Sequence, residues 1–550
     1  MITRLDITIS ILYILGIVFI GLWAGVKKKN VKKGAESNDY FLAGKTLRWP
    51  MIGLALFATN ISCLHLVSLA QSGFDTGLLN GNFEWMAAFT LVLLALFFVP
   101  FYLKSNVTTL PDFLEKRYNR ACRDWLAIVS ILSAIIIHIA FSFLAGGIVL
   151  KTLFGVNMYV SVILIATLTG IYTIIGGLRA VVITESIQTV VLLAGAFIIT
   201  VICFQKIGGW SSLTQTLHES SSMNKLSMLR GSGDSSGMPW YAVFLGYPVL
   251  GIWYWCADQT IVQRVLGAKD ENHARVGSLF CGFIKILPVF IFVLPGLIAF
   301  ALAQKGFFDI SSIQTVDASG KTITETKGIY TLMITQLVPT GLVGILVAAL
   351  LSGLMSQISG ALNSIATLAS FDLYKRFRPQ AQDHSLVRVG RISATIALIV
   401  SIALLPLLNQ YESLFNGIND IIAHIAPPIT TVFLLGIFWK KASAKAAQLT
   451  LWIGSLLGMV VFVANKLATN TMISGIPFMM MAFYLFVACL VMQVIFSYMY
   501  PVVHTDESKV LYWKSPWEPL KGKAWTGIGN YKLLSLLLLG IMVVLYWIFK

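Results

Sequence analysis

Charged side chains are scarce in this sequence: Asp, Glu, Lys and Arg make up only 12% of its 550 residues. A soluble globular protein of ordinary composition carries about twice that share. Hydrophobic residues instead account for 57% of the chain, and the mean hydropathy is +0.80. The composition therefore excludes an ordinary water-soluble domain and predicts a polytopic membrane protein.

The chain also lacks the residue groupings that most enzymes and metal proteins need. Its six cysteines show no spacing typical of a disulfide framework or a zinc site. No nucleophile–base set or metal-ligand cluster stands out, and no polar stretch is long enough to hold a soluble catalytic domain. We therefore expect a protein that is not an enzyme.

Apolar runs of roughly 20 residues recur along the whole chain, as expected for helices that cross a bilayer. They predict an all-α protein with about 14 transmembrane helices. The run at about 329–374 is too long for one span, and we expect its C-terminal part to continue as a helix beyond the membrane. Two polar segments, 206–239 and 305–328, are predicted to be exposed loops on the outside.

Basic residues decide the predicted orientation. The net charge is +16, and most Lys and Arg residues fall in loops on one side of the alternating spans, the first of which holds Lys27, Lys28, Lys29, Lys32 and Lys33. Such loops face the cytoplasm, so a multi-pass protein of the plasma membrane with both termini outside is expected.

Short basic loops between spans do not form one nucleic-acid-binding surface. We expect contact with membrane lipid, but no nucleic acid and no obligatory protein partner.

Polar residues interrupt one apolar run near its middle, where lipid penalises them. The stretch ATNISCLH (58–65) places Asn60, Ser62 and His65 there. Many transporters break helices at such points so that backbone carbonyls and helix ends face a ligand. We interpret 58–65 as a break of this kind, although Asn60 and Ser62 could alternatively serve helix packing.

Further polar or ionisable groups lie inside other predicted spans. They are Glu84, the WYWCADQ segment with Tyr254, Trp255 and Asp258, Lys285, the segment 414–428 that contains Asn419, and the hydroxyl-rich segment 350–364. Lys285 lies too deep for its ammonium to reach the interface easily, which favours a role in a site or a gate. By composition alone Tyr254 and Trp255 would more often be core aromatics. His138, in IIIHIAF, is interpreted as structural.

Several motifs occur in a fixed order along the chain: FATNIS, GNFEWM, TTLPDFLEKRYN, GGLRAVVITESIQ, WYWCADQTIVQR, LNSIATLASFDLY and APPITTVFLLGIFWKK. In this order they resemble the sodium/solute symporter family, and within it the sodium/glucose cotransporter branch. The resemblance implies an inverted five-helix repeat transporter fold with discontinuous helices. Its implied parts are an extra helix and basic loop at 1–48, the first repeat at 49–205, the external loop 206–239, the second repeat at 240–441 and extra helices at 442–550.

The resemblance also implies a sugar site. Carried over position by position, its residues are Asn60, His65, Glu84, Tyr254, Trp255, Lys285 and Asn419. Trp255 would lie beneath the sugar ring and Tyr254 would be the inner gate, while Asn419 stands where the family has glutamine. The carboxylate, the lysine, the histidine and the amides offer hydrogen bonds to hydroxyls, and the aromatic rings offer a flat apolar face. A neutral monosaccharide or related polyol is therefore expected.

The sodium ligands implied by the resemblance are the carbonyls of Ala58, Ile61 and Gly353 and the hydroxyl of Ser356. Oxygen atoms of this kind suit a small hard cation. The family's second hydroxyl falls at Gln357, whose amide either coordinates sodium or fills the site. Glu185 stands where several relatives carry aspartate near a further sodium position.

Sodium-coupled import of a sugar by alternating access is thus the function that the resemblance implies. A sodium-independent or proton-coupled sugar carrier, and a sugar sensor that does not transport, stay open as alternatives.

Overall fold

The computed structural model describes residues 3–26, 36–234, 236, 238–316, 322–339, 341–408, 414–467, 476–515 and 517–550. The basic residues between 27 and 33, predicted to form the first cytoplasmic loop, lie outside the described residues. The described chain is predominantly helical. Its two short strands, β1 (Gln314–Val316) and β2 (Thr322–Thr324), form an antiparallel hairpin with Thr315 opposite Ile323.

The α-helices of the described chain are α1 (Arg4–Val26), α2 (Glu36–Leu42), α3 (Trp49–Asn60), α4 (Cys63–Thr76), α5 (Asn82–Leu93), α6 (Val99–Lys104), α7 (Leu110–Arg117), α8 (Arg120–Ser133), α9 (Phe141–Phe154), α10 (Met158–Ile207), α11 (Gly209–Glu219), α12 (Trp240–Ile252), α13 (Gln259–Leu266), α14 (Glu271–Ile284), α15 (Leu294–Gln304), α16 (Ile329–Leu337), α17 (Leu342–Leu368), α18 (Lys375–Phe377), α19 (Asp383–Ala403), α20 (Leu405–Leu408), α21 (Leu414–Phe438), α22 (Ala444–Leu467), α23 (Phe478–Met499) and α24 (Tyr531–Ile548). Short π-helical turns lie at Leu94–Phe98, Ala134–Ala140, Trp253–Ala257, Val289–Val293 and Ala369–Tyr374. Short 3-10 turns lie at Ala43–Lys45, Gly77–Gly81, Met223–Leu226, Ser311–Ile313, Thr326–Gly328, Ser508–Val510, Glu518–Lys521 and Gly527–Gly529.

Eleven segments of the described chain are long and apolar enough to cross a membrane, so the count of fourteen stays a prediction. One difference has a local cause: α10 runs for 50 residues, about twice the length of one span, and it kinks at Gly177. Gly177 has φ +63°, and a Cβ atom there would lie 2.5 Å from the carbonyl oxygen of Tyr40. Only glycine can take this backbone conformation so close to the Tyr40 carbonyl without strain.

The long apolar run predicted at 329–374 is divided near its start. α16 ends at Leu337, and α17 begins at Leu342, after Pro339 and a left-handed Gly341 with φ +90°. Proline cannot donate a backbone hydrogen bond and so cannot continue the helical ladder. Beyond α17 the chain continues through the π turn into α18, so the predicted helical continuation is present.

The segment 206–239 is more ordered than the loop that its composition predicts. It contains α11, which buries Leu213, Thr216 and Leu217. These residues recur at helical spacing on one face, and that face packs against the bundle, so the prediction of a simple loop is wrong over this stretch. The segment 305–328 contains the β-hairpin.

α17 lies at the centre of the helix bundle. Over its most apolar 18 residues 89% are buried, against 22% for the corresponding stretch of α1. α17 packs against α10, α1 and α19, while α3 packs against α14, and α12 against α5 and α21. The helices that carry the polar residues predicted from the sequence are therefore enclosed by other helices rather than facing lipid.

Candidate functional site

The polar stretch at 58–65 is a break between two helices, as predicted. α3 ends at Asn60 and α4 begins at Cys63, and the two residues between them are extended, with ψ 112° at Ile61 and 174° at Ser62. Oγ of Ser62 lies 3.1 Å from Nδ1 of His65, and the backbone amide of His65 donates to the Ser62 carbonyl at 3.0 Å. The break releases carbonyls at the end of α3, and Ser62 with His65 stabilises the new helix start.

A second break lies in the WYWCADQ segment. α12 passes into the π turn Trp253–Ala257, and Asp258 is extended, with ψ 122°, before α13 begins. One carboxylate oxygen of Asp258 accepts from the backbone amide of Thr260 at 2.6 Å, which caps α13. The π turn lies directly before the break and carries Tyr254 and Trp255. The first break therefore lies beside Asn60 and His65, and the second lies beside Tyr254 and Trp255.

A buried ion pair joins three of the site helices. Lys285 follows the end of α14 and is only 1% exposed. Its ammonium forms an ion pair with Glu84 of α5 and donates to Oδ1 of Asn60 at 2.5 Å. The same nitrogen lies 5.6 Å from the centre of the Trp255 ring. Because a buried charge is costly without a partner, Glu84 and Asn60 fix the position of the ammonium.

A cavity of about 90 Å³ lies beside this ion pair, inside the helix bundle. Six of the seven predicted sugar-site residues line it, namely Asn60, His65, Glu84, Tyr254, Trp255 and Asn419. The seventh, Lys285, is bonded to two of those six. The rest of the wall is largely apolar or aromatic and includes Phe83 and Tyr247. The structure thus brings together all seven residues from five separate parts of the chain.

Two residues to which the sequence assigned other roles also line this cavity. They are His138, interpreted as structural, and Gln357, predicted at the sodium site. Nε2 of His138 lies 2.9 Å from Oδ2 of Asp258, so that a π turn between α8 and α9 is joined to the second helix break. The local sequence IIIHIAF carries no signal for this contact, because the partner lies 120 residues away.

The predicted sodium ligands lie where α17 passes the first helix break. Oγ of Ser356 is 2.8 Å from the carbonyl oxygen of Ala58 and 3.1 Å from that of Gly353. A Cβ atom at Gly353 would lie 3.0 Å from the carbonyl carbon of Ser62, so glycine permits the close approach of α17 to the break. Ile61 is itself a residue of the break. A hydroxyl and carbonyl oxygens grouped in this way suit a small hard cation.

Glu185, predicted near a further sodium position, is held by an arginine. Its Oε1 lies 2.5 Å from a terminal nitrogen of Arg264, and its Oε2 lies 3.3 Å from Nε of the same residue. The hydroxyl of Thr59 also donates to Oε1, at 3.1 Å. Both side chains of the ion pair are fully buried. A guanidinium group therefore neutralises the carboxylate beside the end of α3.

Comparison with known proteins identifies the family. Residues 40–454 match the family model described as the sodium:solute symporter family. The chain belongs to this family. Sodium/glucose cotransporter 1 of Ovis aries is 33% identical over 479 residues, which cover 82% of this chain and 71% of that protein. The sodium/mannose cotransporter of Bos taurus is 33% identical over 473 residues, which cover 83% of this chain and 78% of that protein.

A solved structure shares the fold of this symporter family member. It shows the substrate-bound outward-open state of a Na+-coupled sialic acid symporter, with a TM-score of 0.76 and 22% sequence identity. The match covers 92% of this chain and 100% of the other. The family match confirms the predicted family resemblance, and the shared fold confirms the predicted all-α inverted-repeat fold class. Because its relatives are transporters, the chain is a multi-pass membrane transporter and not an enzyme.

Proposed function

We propose that this symporter family member imports a neutral monosaccharide or a related polyol, driven by sodium, through alternating access. One observation carries the proposal: the cavity between the two helix breaks is lined by hydrogen-bonding groups and aromatic rings, and a cluster of hydroxyl and carbonyl oxygens adjoins it. The sodium/glucose and sodium/mannose cotransporters among the relatives support both the cation and the substrate class. We place the protein in the plasma membrane with both termini outside.

The charge of the cavity favours a neutral substrate. Lys285 is neutralised by Glu84, so its ammonium does not stand free to bind a carboxylate or a phosphate of a ligand. An anionic substrate would require an unpaired cation, commonly an arginine. The amides of Asn60 and Asn419 can both donate to and accept from hydroxyl groups. The Trp255 ring offers the apolar face that one side of a pyranose needs.

The first helix break supplies a physical link between the cation and the sugar. Ala58 belongs to the predicted cation ligands and Asn60 to the sugar site, and both lie in the last turn of α3. A cation that binds Ala58 and Ser356 would hold α3 against α17 and thereby fix the position of Asn60. Each ligand then favours the same conformation, and coupling is a difference in affinity between conformations.

Uptake into proteoliposomes tests the proposal. Labelled glucose, galactose, mannose and myo-inositol are supplied with an inward sodium gradient or with an equal potassium gradient. We expect sodium-driven accumulation of at least one of them above equilibrium, abolished by gramicidin, which dissipates the sodium gradient. Equal uptake under both gradients would exclude sodium coupling. Binding of a sugar without uptake would identify a sensor instead.

A further inference from the structure

Two adjacent residues of α17 have different surroundings. The hydroxyl of Ser356 reaches the carbonyls of Ala58 and Gly353, which are predicted cation ligands. The next side chain, Gln357, reaches α9 and the turn before it: its Oε1 accepts from the hydroxyl of Ser142 at 2.7 Å, and its Nε2 lies 3.4 Å from Nδ1 of His138. Consecutive residues of an α-helix point about 100° apart, so the two side chains serve different neighbours.

Gln357, His138 and Asp258 form a chain of polar contacts. Oδ2 of Asp258 lies 2.9 Å from Nε2 of His138, and a carboxylate only accepts hydrogen bonds. In the neutral imidazole Nε2 therefore carries the proton, and Nδ1 presents a lone pair. With His138 neutral, the amide nitrogen of Gln357 donates to this lone pair, while the amide oxygen accepts from Ser142.

The amide has one donor left after these contacts. A glutamine amide nitrogen carries two N–H groups, of which His138 takes one. Gln357 is 5% exposed, and it is one of the residues that line the cavity. The second N–H belongs to a side chain that contacts Ser142 and His138 and also lines the cavity.

We infer that Gln357 is a specificity-determining residue of the substrate cavity and not a cation ligand. Its amide donates a hydrogen bond to an oxygen of the bound polyol, and Ser142 with the His138–Asp258 pair positions it. This inference rests on the proposed function, because it takes a polyol as the substrate. The cation is then held by Ser356 and by backbone carbonyls, without the Gln357 side chain.

Direct binding to the purified protein in detergent separates the two roles of these neighbouring residues. Tritiated glucose, galactose, mannose and myo-inositol report on the cavity, and radioactive sodium in the absence of sugar reports on the cation site. Gln357→Leu keeps much of the side-chain volume and removes the amide, while Gln357→Asn keeps the amide and shortens its reach. Gln493→Leu is the matched control, since Gln493 is a fully buried glutamine on α23 outside the cavity wall.

We expect substitutions at positions 357 and 356 to weaken the binding of different ligands. Gln357→Leu should weaken sugar binding about tenfold or more and leave sodium binding within about twofold of wild type. Ser356→Ala should weaken sodium binding, and Gln493→Leu should change neither. Elution as a single symmetric peak in size-exclusion chromatography shows that a variant is folded. If Gln357→Leu is not folded, Gln357→Asn is tested in its place.

Two results would overturn the inference: a folded Gln357→Leu protein that has lost sodium binding, or one that binds sugar as tightly as wild type. Different results would contradict the proposed function. A wild-type protein that binds a sugar but shows no sodium-driven uptake contradicts the symport proposal and leaves this binding test valid. A wild-type protein that binds none of the four compounds contradicts both.

Discussion

The ammonium of Lys285 donates to the side-chain oxygen of Asn60 at 2.5 Å, which ties the end of α14 to the broken end of α3. The same ammonium forms an ion pair with Glu84 of α5. One buried cation therefore connects three helices that carry sugar-site residues. Its loss would leave a carboxylate without a counter-charge inside the membrane.

We expect Lys285→Ala to abolish sugar uptake and to lower the free energy of unfolding by about 3 kcal/mol or more, because Glu84 would remain buried and unpaired. Combining Lys285→Met with Glu84→Gln removes both charges, so this double variant should regain thermal stability but not uptake. Thermal unfolding in detergent and proteoliposome uptake check the two effects. Uptake by Lys285→Ala at the wild-type rate would show that the ion pair is not part of the substrate site.

Trp255 is predicted to contribute an apolar face to the sugar. Trp255 is 1% exposed and lines the cavity, and its ring centre lies 5.3 Å from that of Tyr254. Trp255→Ala should raise the KM for sugar about tenfold or more, whereas Trp255→Phe keeps an aromatic face and should change it by less than about fivefold. Trp253→Phe is the control, since Trp253 is buried outside the cavity wall. A similar KM for the alanine and phenylalanine variants would refute a stacking role.

Ser356 is predicted to supply the side-chain oxygen of the cation site. Ser356→Ala removes that oxygen and should raise the sodium concentration for half-maximal uptake about tenfold, while Ser356→Thr, which keeps a hydroxyl, should stay close to wild type. Sodium titrations at saturating sugar measure this shift. An unchanged sodium requirement in Ser356→Ala would place the cation elsewhere.

The Glu185–Arg264 pair is expected to limit the number of sodium ions. Arg264 already neutralises the carboxylate and occupies both of its oxygens, so we expect a sodium dependence with a Hill coefficient of about one. Glu185→Gln should destabilise the protein by about 3 kcal/mol or more, because the guanidinium would stay buried without its counter-charge. Thermal unfolding tests the second expectation. A Hill coefficient near two in wild type would instead favour a second sodium ion at Glu185.

The helix break at 58–65 could be predicted because polar residues in an apolar run are a local feature of the sequence. The grouping of Asn60, Glu84 and Lys285 came from family resemblance, since it depends on contacts across more than 200 residues. The place of His138 could not be predicted from its neighbours, because Asp258 reaches it only in the folded bundle. Gln357 shows the same limit: the sequence puts it beside Ser356, but Ser142 and His138 decide where its amide points.

Sugar-driven movement of sodium tests the central claim most directly. Coupling is reciprocal, so a gradient of the transported sugar must move sodium if a gradient of sodium moves the sugar. Proteoliposomes with equal radioactive sodium on both sides and sugar only outside should accumulate sodium above equilibrium, and Lys285→Ala proteoliposomes should not. Entry of the sugar without any net movement of sodium would contradict the account.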